Sequence, residues 1–419
     1  MKKRMMIVGV VVAAAGNLAW ADGFRNPPEG MQAIGKVGGK IVFIDDASAI
    51  THNPANLTEL TDNELIASFT LGYGKREFEP ALGGKAESKD PWAVLPNFFA
   101  AWRLNEDTLV AGVSLTTPYG RSTTFPKDSI LRYSVPYFTE LVAVNLNPTL
   151  AYKVNDRVSV AAGLNVLYAD LDLRQIYPWS LATGIPGAPD GETRFSADGA
   201  GLGYNAAVTW NITDRQRAAL TYRSSNKVDL EGDLKVSGVP TAPGLPAPLS
   251  MVTARSDFET SIEFPAVVAA GYGIQLTDKL RVEVNVEWVR HSVFEELELD
   301  AGNNTFLLPA STIPADWDDN WTYGIGADYA LNDAWTLRAG FIYLETPVPG
   351  KTMLPSISEE DQSVISIGAG YVSGAHRWDF AYAYGLFNGR TVNNNANPAF
   401  NGDYDFEAHL LGVSYGLSF

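Results

Sequence analysis

The sequence predicts an all-β fold: a fourteen-stranded antiparallel barrel that crosses a membrane with its strands. Three observations carry this. From Glu64 on, segments alternate large apolar with small or polar residues, each at least as long as the roughly ten residues that a tilted strand needs to span a bilayer. The second face of these segments is rich in Gly, Ser, Asn, Thr and Ala. A soluble sandwich would instead turn a charged face to water, whereas small neutral residues suit the inside of a barrel whose outside meets lipid. Finally, the links sort by parity, short turns alternating with long loops, which a propeller or sandwich has no reason to do.

Residues 1–21 read as a secretory signal peptide. Lys2, Lys3 and Arg4 precede an apolar run from Met5 to Ala15, and small residues end in Ala19-Trp20-Ala21 before Asp22. The run is too short to cross a bilayer as a helix. Its removal takes the net charge from −17 to −20, with 28 basic against 48 acidic side chains. Such a balance argues against nucleic acid as a partner. With no cysteine, neither a disulfide framework nor a thiolate metal site is available. A length of 419 residues would allow two or three soluble domains, yet Pro, Gly and Ser recur at short intervals and mark no linker.

Next comes Ala33 to Thr58, which lacks lasting alternation. It carries Gly35, Gly38 and Gly39, the acidic pair Asp45-Asp46, the apolar run Ile41 to Ile44, and Asn53-Pro54-Ala55. Pro54 locks its own φ and biases Asn53 away from helix. So little apolar surface cannot offset the entropy of ordering the segment alone; it needs a container.

The strands follow near 64–74, 95–104, 108–118, 140–153, 157–173, 199–212, 215–231, 258–275, 280–298, 320–331, 335–346, 363–373, 376–389 and 406–419. Leu65, Ala67, Phe69, Leu71 and Tyr73 share a face of the first; Trp321, Tyr323, Ile325, Ala327 and Tyr329 share one in the tenth. Tight links such as Asn155-Asp156, Thr213-Asp214 and Asn332-Asp333 mark one end of the barrel. Long links near 75–94, 119–139, 174–198, 232–257, 299–319, 347–362 and 390–405 mark the other. In the third strand Pro118 cannot donate to a ladder and Gly120 weakens it, so pairing should fail there. The last strand alternates Leu411, Val413, Tyr415, Leu417 and Phe419, and closure against the first leaves no edge unpaired in lipid.

Several stretches, in order, resemble the FadL/TodX family of outer-membrane transporters of long-chain fatty acids and other hydrophobic compounds. They are Trp20 to Phe24 (WADGF), Asp45-Asp46-Ala47 followed by Asn53-Pro54-Ala55, Tyr204-Asn205-Ala206, Leu220 to Ser224 with Lys227-Val228-Asp229, Trp335 to Arg338, and Pro347-Val348-Pro349. The resemblance covers nearly the whole chain after the leader and is weakest in the external loops. It implies residues 22–63 as a hatch plugging the lumen of a barrel at 64–419, with Asp45, Asp46, Asn53, Pro54 and Ala55 as its signature. A kink in the third strand, here at Pro118, Tyr119 and Gly120, would open the wall sideways. The apolar, proline-rich loops Ile176 to Pro189 and Val236 to Met251 stand where the family has its capture groove, with Trp179, Leu181, Leu245 and Leu249 offering apolar contact. The terminal Phe419 resembles the signal read by the barrel-assembly machinery.

By parity Arg223, Arg338 and Lys153 face the lumen, where a basic group can meet a carboxylate head group or pair with an acid such as Glu283, Glu287 or Asp328. No G-x-S-x-G occurs, and His52, His291, His376 and His409 lack metal-like spacing. The expectation is therefore a monomeric protein of the bacterial outer membrane, in contact with lipid and lipopolysaccharide, without cofactor, metal or catalysis. It would pass hydrophobic molecules, fatty acids first, then monoaromatics or alkanes. A general hydrophilic porin is the alternative, and an outer-membrane lipid hydrolase a weaker one.

Overall fold

The structure, a computed structural model, describes residues 22–105, 108–180, 189–240, 251–302 and 311–419. Fourteen strands form the wall. They are β1 (Glu64–Pro80), β2 (Trp92–Arg103), β3 (Leu109–Thr124), β4 (Phe138–Lys153), β5 (Val158–Tyr177), β6 (Gly191–Thr213), β7 (Gln216–Arg223 and Asn226–Pro240), β8 (Met251–Phe264 and Val267–Gln275), β9 (Leu280–Val289), β10 (Asn320–Ala330), β11 (Trp335–Leu344), β12 (Gln362–Ser373), β13 (His376–Leu386) and β14 (Gly402–Ser418). β1 pairs antiparallel with β14 from Glu64↔Ser418 to Pro80↔Gly402, which closes the sheet on itself.

The alternation lands as a lipid-exposed barrel demands. In β1, Leu65 and Phe69 are 42% and 45% exposed while Ser68 and Thr70 between and beside them are buried. Trp102, Trp210, Trp335 and Trp378 stand exposed near the short turns, and Trp92 and Trp321 near the loops, the two aromatic belts that flank an apolar band. Phe419 is exposed on the outer face, and its backbone exchanges hydrogen bonds of 3.0 and 3.2 Å with Asn63.

Strand ends differ from expectation mainly on the loop side. β6 starts at Gly191 instead of 199, because Gly199 and Gly201 do not begin the strand. A Cβ there would fall 2.0 Å from the Asp229 carbonyl oxygen and 2.1 Å from the Asn226 side-chain oxygen, so these glycines admit β7 at close range. β9 stops at Val289 short of 298. His291 turns inward and bonds Asn320 at 2.8 Å, which breaks the alternation. The Glu296–Leu299 pattern is a strand, but it pairs with Ser311–Pro314 in a separate ribbon. β7 and β8 are each interrupted, at Ser224-Ser225 and at Pro265-Ala266, the latter where proline lacks an N–H.

Residues 22–60 fill the lumen. Short helices, Met31–Gly35 and Ala49–His52, and a 3-10 turn, Pro54–Glu59, punctuate an otherwise irregular segment, and Ile34, Val37, Ile44, Ile50 and Leu57 are all fully buried. The glycines explain the fit. A Cβ on Gly38 would lie 2.0 Å from the Phe341 carbonyl oxygen, and one on Gly324 of β10 would lie 2.5 Å from the Gly38 Cα. Backbone thus meets backbone where the small-residue face of the wall predicted room.

Candidate functional site

Asn53 organises the lumenal segment. Its side-chain oxygen caps the 3-10 turn by accepting from the Ala55 N–H at 3.2 Å, and its Nδ2 donates at 2.8 Å to the Ile41 carbonyl and to Thr209 Oγ1 on β6. Pro54 fits the first position of that turn, where a missing N–H costs nothing. Asp45 and Asp46 sit in different fields. Burial raises the pKa of Asp45, but Arg281 at 3.0 Å, with Arg377 and Lys36, holds it well below the usual carboxylate range. Burial dominates at Asp46 and pushes it up, with Arg377 opposing and Asp379 adding. Fully buried Lys36 bridges to Asp328 at 2.6 Å and Glu283 at 3.4 Å, and Lys40 to Glu287 at 2.7 Å. Removing one partner from such a buried pair costs about 3–5 kcal/mol, so these contacts fix the segment to β9 and β10.

The wall loses continuity at β3. β2 and β3 pair only from Phe98↔Leu115 to Arg103↔Val110, although β2 stays paired to β1 as far as Trp92 and β3 to β4 as far as Thr124. Register steps from Thr116↔Asn145 to Tyr119↔Ala143, leaving Thr117 and Pro118 as a bulge. The N-terminal segment stands in for the missing neighbour. The Asn26 N–H donates to the Pro118 carbonyl at 2.9 Å, the Gly120 N–H donates to the Phe24 carbonyl at 2.8 Å, and Asn26 Nδ2 donates to the Thr117 carbonyl at 2.8 Å. Pro118, Tyr119 and Gly120 are therefore brought together with the N-terminus at one seam.

Beside the seam, toward the long loops, lies an apolar cavity. Phe24, Leu141, Leu171, Ile262, Phe294 and Trp317 line it, and Arg121 contributes a charge. Phe24 packs its ring 4.9 Å from Phe294 and 4.7 Å from Trp317. Arg121 donates through Nη1 to the Gly23 carbonyl at 3.0 Å and to Glu359, and through Nη2 to the Ser358 carbonyl at 3.0 Å. The Gly23 N–H donates to the second Glu359 oxygen at 3.0 Å.

The basic residues picked out by parity are placed elsewhere. Arg338 is buried between Asp328 at 3.1 Å and Asp379 at 2.7 Å. Arg223 lines a polar cavity with Arg25, Lys40 and Glu287, and donates to Asn165 and the Thr51 carbonyl. Lys153 pairs with the exposed Asp156 at 3.5 Å by a short turn. Trp179 is buried against Tyr177, with ring centroids 4.4 Å apart. Leu181, Leu245 and Leu249 lie outside the described residues, as do residues 1–21. Arg121 escaped the parity reading for a physical reason. Counting from Leu109 assigns it to the lipid face, but two bulged residues opposite one invert the alternation and turn Tyr119 and Arg121 inward.

The profile of the family described as outer membrane protein transport protein (OMPP1/FadL/TodX) matches residues 12–419. The chain is 26% identical over 457 residues to the long-chain fatty acid transport protein of Escherichia coli K12, covering 98% of each. It is 24% identical over 480 residues to outer membrane protein P1 of Haemophilus influenzae, covering 99% of this chain and 98% of that one. Among solved structures, a Pseudomonas aeruginosa FadL homologue superposes with a TM-score of 0.80 at 23% identity, over 95% of this chain and 100% of that one. The Pseudomonas putida toluene transporter TodX gives 0.75 at 17% identity, over 95% and 100%. The chain belongs to the FadL/TodX family of outer-membrane transporters of hydrophobic compounds and is itself a multi-pass barrel of the bacterial outer membrane.

Proposed function

We propose that this barrel takes up hydrophobic molecules by passive diffusion, long-chain fatty acids first among them. Ligand is captured at the external loops, passes to the apolar cavity, and leaves sideways through the seam in β3 when the hatch, residues 22–63, shifts. One observation carries the reading. Phe24 lines the cavity and its carbonyl also closes the seam through the Gly120 N–H, so one displacement of the N-terminal segment would join pocket to exit. Each buried CH₂ of a ligand contributes about 0.8 kcal/mol, which favours long alkyl chains in such a cavity. Relatives named for long-chain fatty acid transport support that substrate; solved relatives named as toluene transporters support a monoaromatic alternative.

In the same reading residues 1–21 are removed on export, Phe419 engages the barrel-assembly machinery, and the monomer sits among lipid and lipopolysaccharide without performing catalysis. The test is uptake of labelled oleate and labelled toluene by cells with and without the gene. A gene-dependent gain for oleate supports the reading, a gain for toluene alone moves the substrate to hydrocarbons, and equal uptake for both compounds in both strains ends it. Large, steady ion conductance in planar bilayers would favour the porin.

A further inference from the structure

The outer face of β5 to β8 carries its charges in rows beyond the apolar band, which the uptake route does not require. Register sets Arg174, Arg194, Lys235 and Arg255 directly opposite one another on these four strands. Four residues nearer the membrane, Asp170, Asp198, Glu231 and Glu259 oppose one another in the same way. Like charges set directly opposite destabilise a sheet, so the fold itself gives no reason for the basic row. Between the rows, buried Asp172 accepts from Arg174 Nε at 3.0 Å and Nη2 at 2.8 Å, and from Arg194 Nε at 3.2 Å. The Phe138 ring backs the Arg174 guanidinium, 4.5 Å from its carbon. Both arginines are thus oriented with Nη1 left over, and Lys235 and Arg255 form no ion pair among the described residues. Glu192, the next carboxylate outward on β6, is already held by Lys127 at 2.8 Å.

We propose that this row docks the phosphate groups on the sugar core of lipopolysaccharide, the glycolipid of the outer leaflet. Height selects that partner. Arg174 lies six residues beyond Tyr168 and Arg194 eight beyond Leu202, the last large apolar side chains on the outside of β5 and β6. At about 3.3 Å per residue and a tilt near 45°, the row stands roughly 14–19 Å above the apolar band. A phospholipid head group reaches only about 5–8 Å beyond the hydrocarbon, so the anion rides on a longer, sugar-built head. Sign selects it too. Cationic groups one strand apart, about 4.8 Å, suit oxyanions that accept from several donors at once, and the carboxylate row below keeps an anion from settling lower. A second copy in the same membrane does not fit the row. A two-fold axis along the membrane normal brings equal heights together and sets basic row against basic row. Docked glycolipid braces the β5–β6 and β7–β8 hairpins, which carry the two proline-rich loops.

The test is native mass spectrometry of the full mature protein in detergent, titrated with rough-type lipopolysaccharide that bears a phosphorylated core, and with the same lipid after its phosphates are removed. The phosphorylated lipid should bind at least about tenfold more tightly, the loss expected for one charged hydrogen-bonded contact. Lys235→Gln with Arg255→Gln, which leaves no buried partner stranded, should weaken it by about as much. Asp172→Asn, which frees both guanidinium groups, should hold or tighten it. Oleate uptake by cells carrying the double variant should match wild type. The proposal falls if the two lipids bind equally, if the folded double variant, identified by heat-modifiable migration, keeps wild-type affinity, or if Asp172→Asn weakens binding. It falls also if oleate displaces the lipid and the double variant loses oleate uptake, since the row would then capture carboxylates. Should the double variant not fold, the two lipids decide alone. Every one of the first three failures leaves the uptake reading standing, because none of them touches oleate.

Discussion

Single atoms decide how the lumenal segment sits. An alanine at position 38 would place its Cβ 2.0 Å from the Phe341 carbonyl oxygen, backbone that cannot move without breaking its ladder. Overpacking of this kind costs about 1–3 kcal/mol or more. Gly38→Ala should leave the barrel heat-modifiable while residues 22–63 become sensitive to protease and ion conductance rises; an unchanged digestion pattern would refute the contact. Glu359 gives a pH prediction with two signs. Its raised pKa means that the folded chain keeps a proton which the unfolded chain loses, so stability from this group is gained as pH falls through about 7 and is fully present below the ordinary carboxylate range. The local hold on Gly23 has the opposite sign, since a neutral carboxyl binds Arg121 and the Gly23 N–H less strongly. The groups facing it are Arg121, Arg76, Asp22 and Arg390, which donates to the Glu359 backbone carbonyl at 2.7 Å. Between about pH 8 and pH 6, Gly23 amide exchange, corrected for intrinsic rate, should accelerate; a flat profile excludes the effect. The turn at Asn53-Pro54 was legible from its residue types, whereas the inward turn of Arg121 was hidden by a parity inversion that only register reveals.

Among the elements, β3 concentrates the departures from a regular wall. Pro118 and Gly120 announced the break in the sequence, because one lacks a donor and the other a side chain. The segment that would answer it, Phe24 to Asn26, has no period and no sequence signal of strand pairing. Asn97 and Thr117 face each other across the seam, with the Thr117 N–H donating to Asn97 Oδ1 at 3.2 Å. Because the chain has no cysteine of its own, Asn97→Cys with Thr117→Cys makes a clean lock. Under oxidation the pair should reduce oleate uptake at least about tenfold if egress through the seam is the slow step, with recovery on reduction. Full uptake with the disulfide formed would mean that ligand leaves elsewhere. Strand ends were the least legible elements, since external strand and ribbon share one alternation and only pairing partners distinguish them.

For the whole molecule, closure was the most legible property. Lipid forbids an unpaired strand edge, so fourteen alternating segments sorted by loop length left few alternatives to a barrel. The last strand supplies the seal, Leu65 to Leu417 and onward. Deleting Phe419 should lower the amount of protein assembled in the outer membrane several-fold while synthesis is unchanged, measured by membrane fractionation; equal levels would detach the terminal aromatic from assembly. The cavity was not legible, because its lining comes from six strands and several loops far apart in the chain, and hydrophobic periodicity says nothing about which external residues converge.

Where Gly38 rests on Gly324, both positions already hold the smallest residue there is. A large side chain in an ordinary core can be rescued by shrinking its neighbour; here no neighbour remains to shrink. A genetic screen started from Gly38→Ala should therefore return true revertants in preference to compensating changes at Gly324, which sets this contact apart from the ion pairs around it, where charge can be swapped between partners.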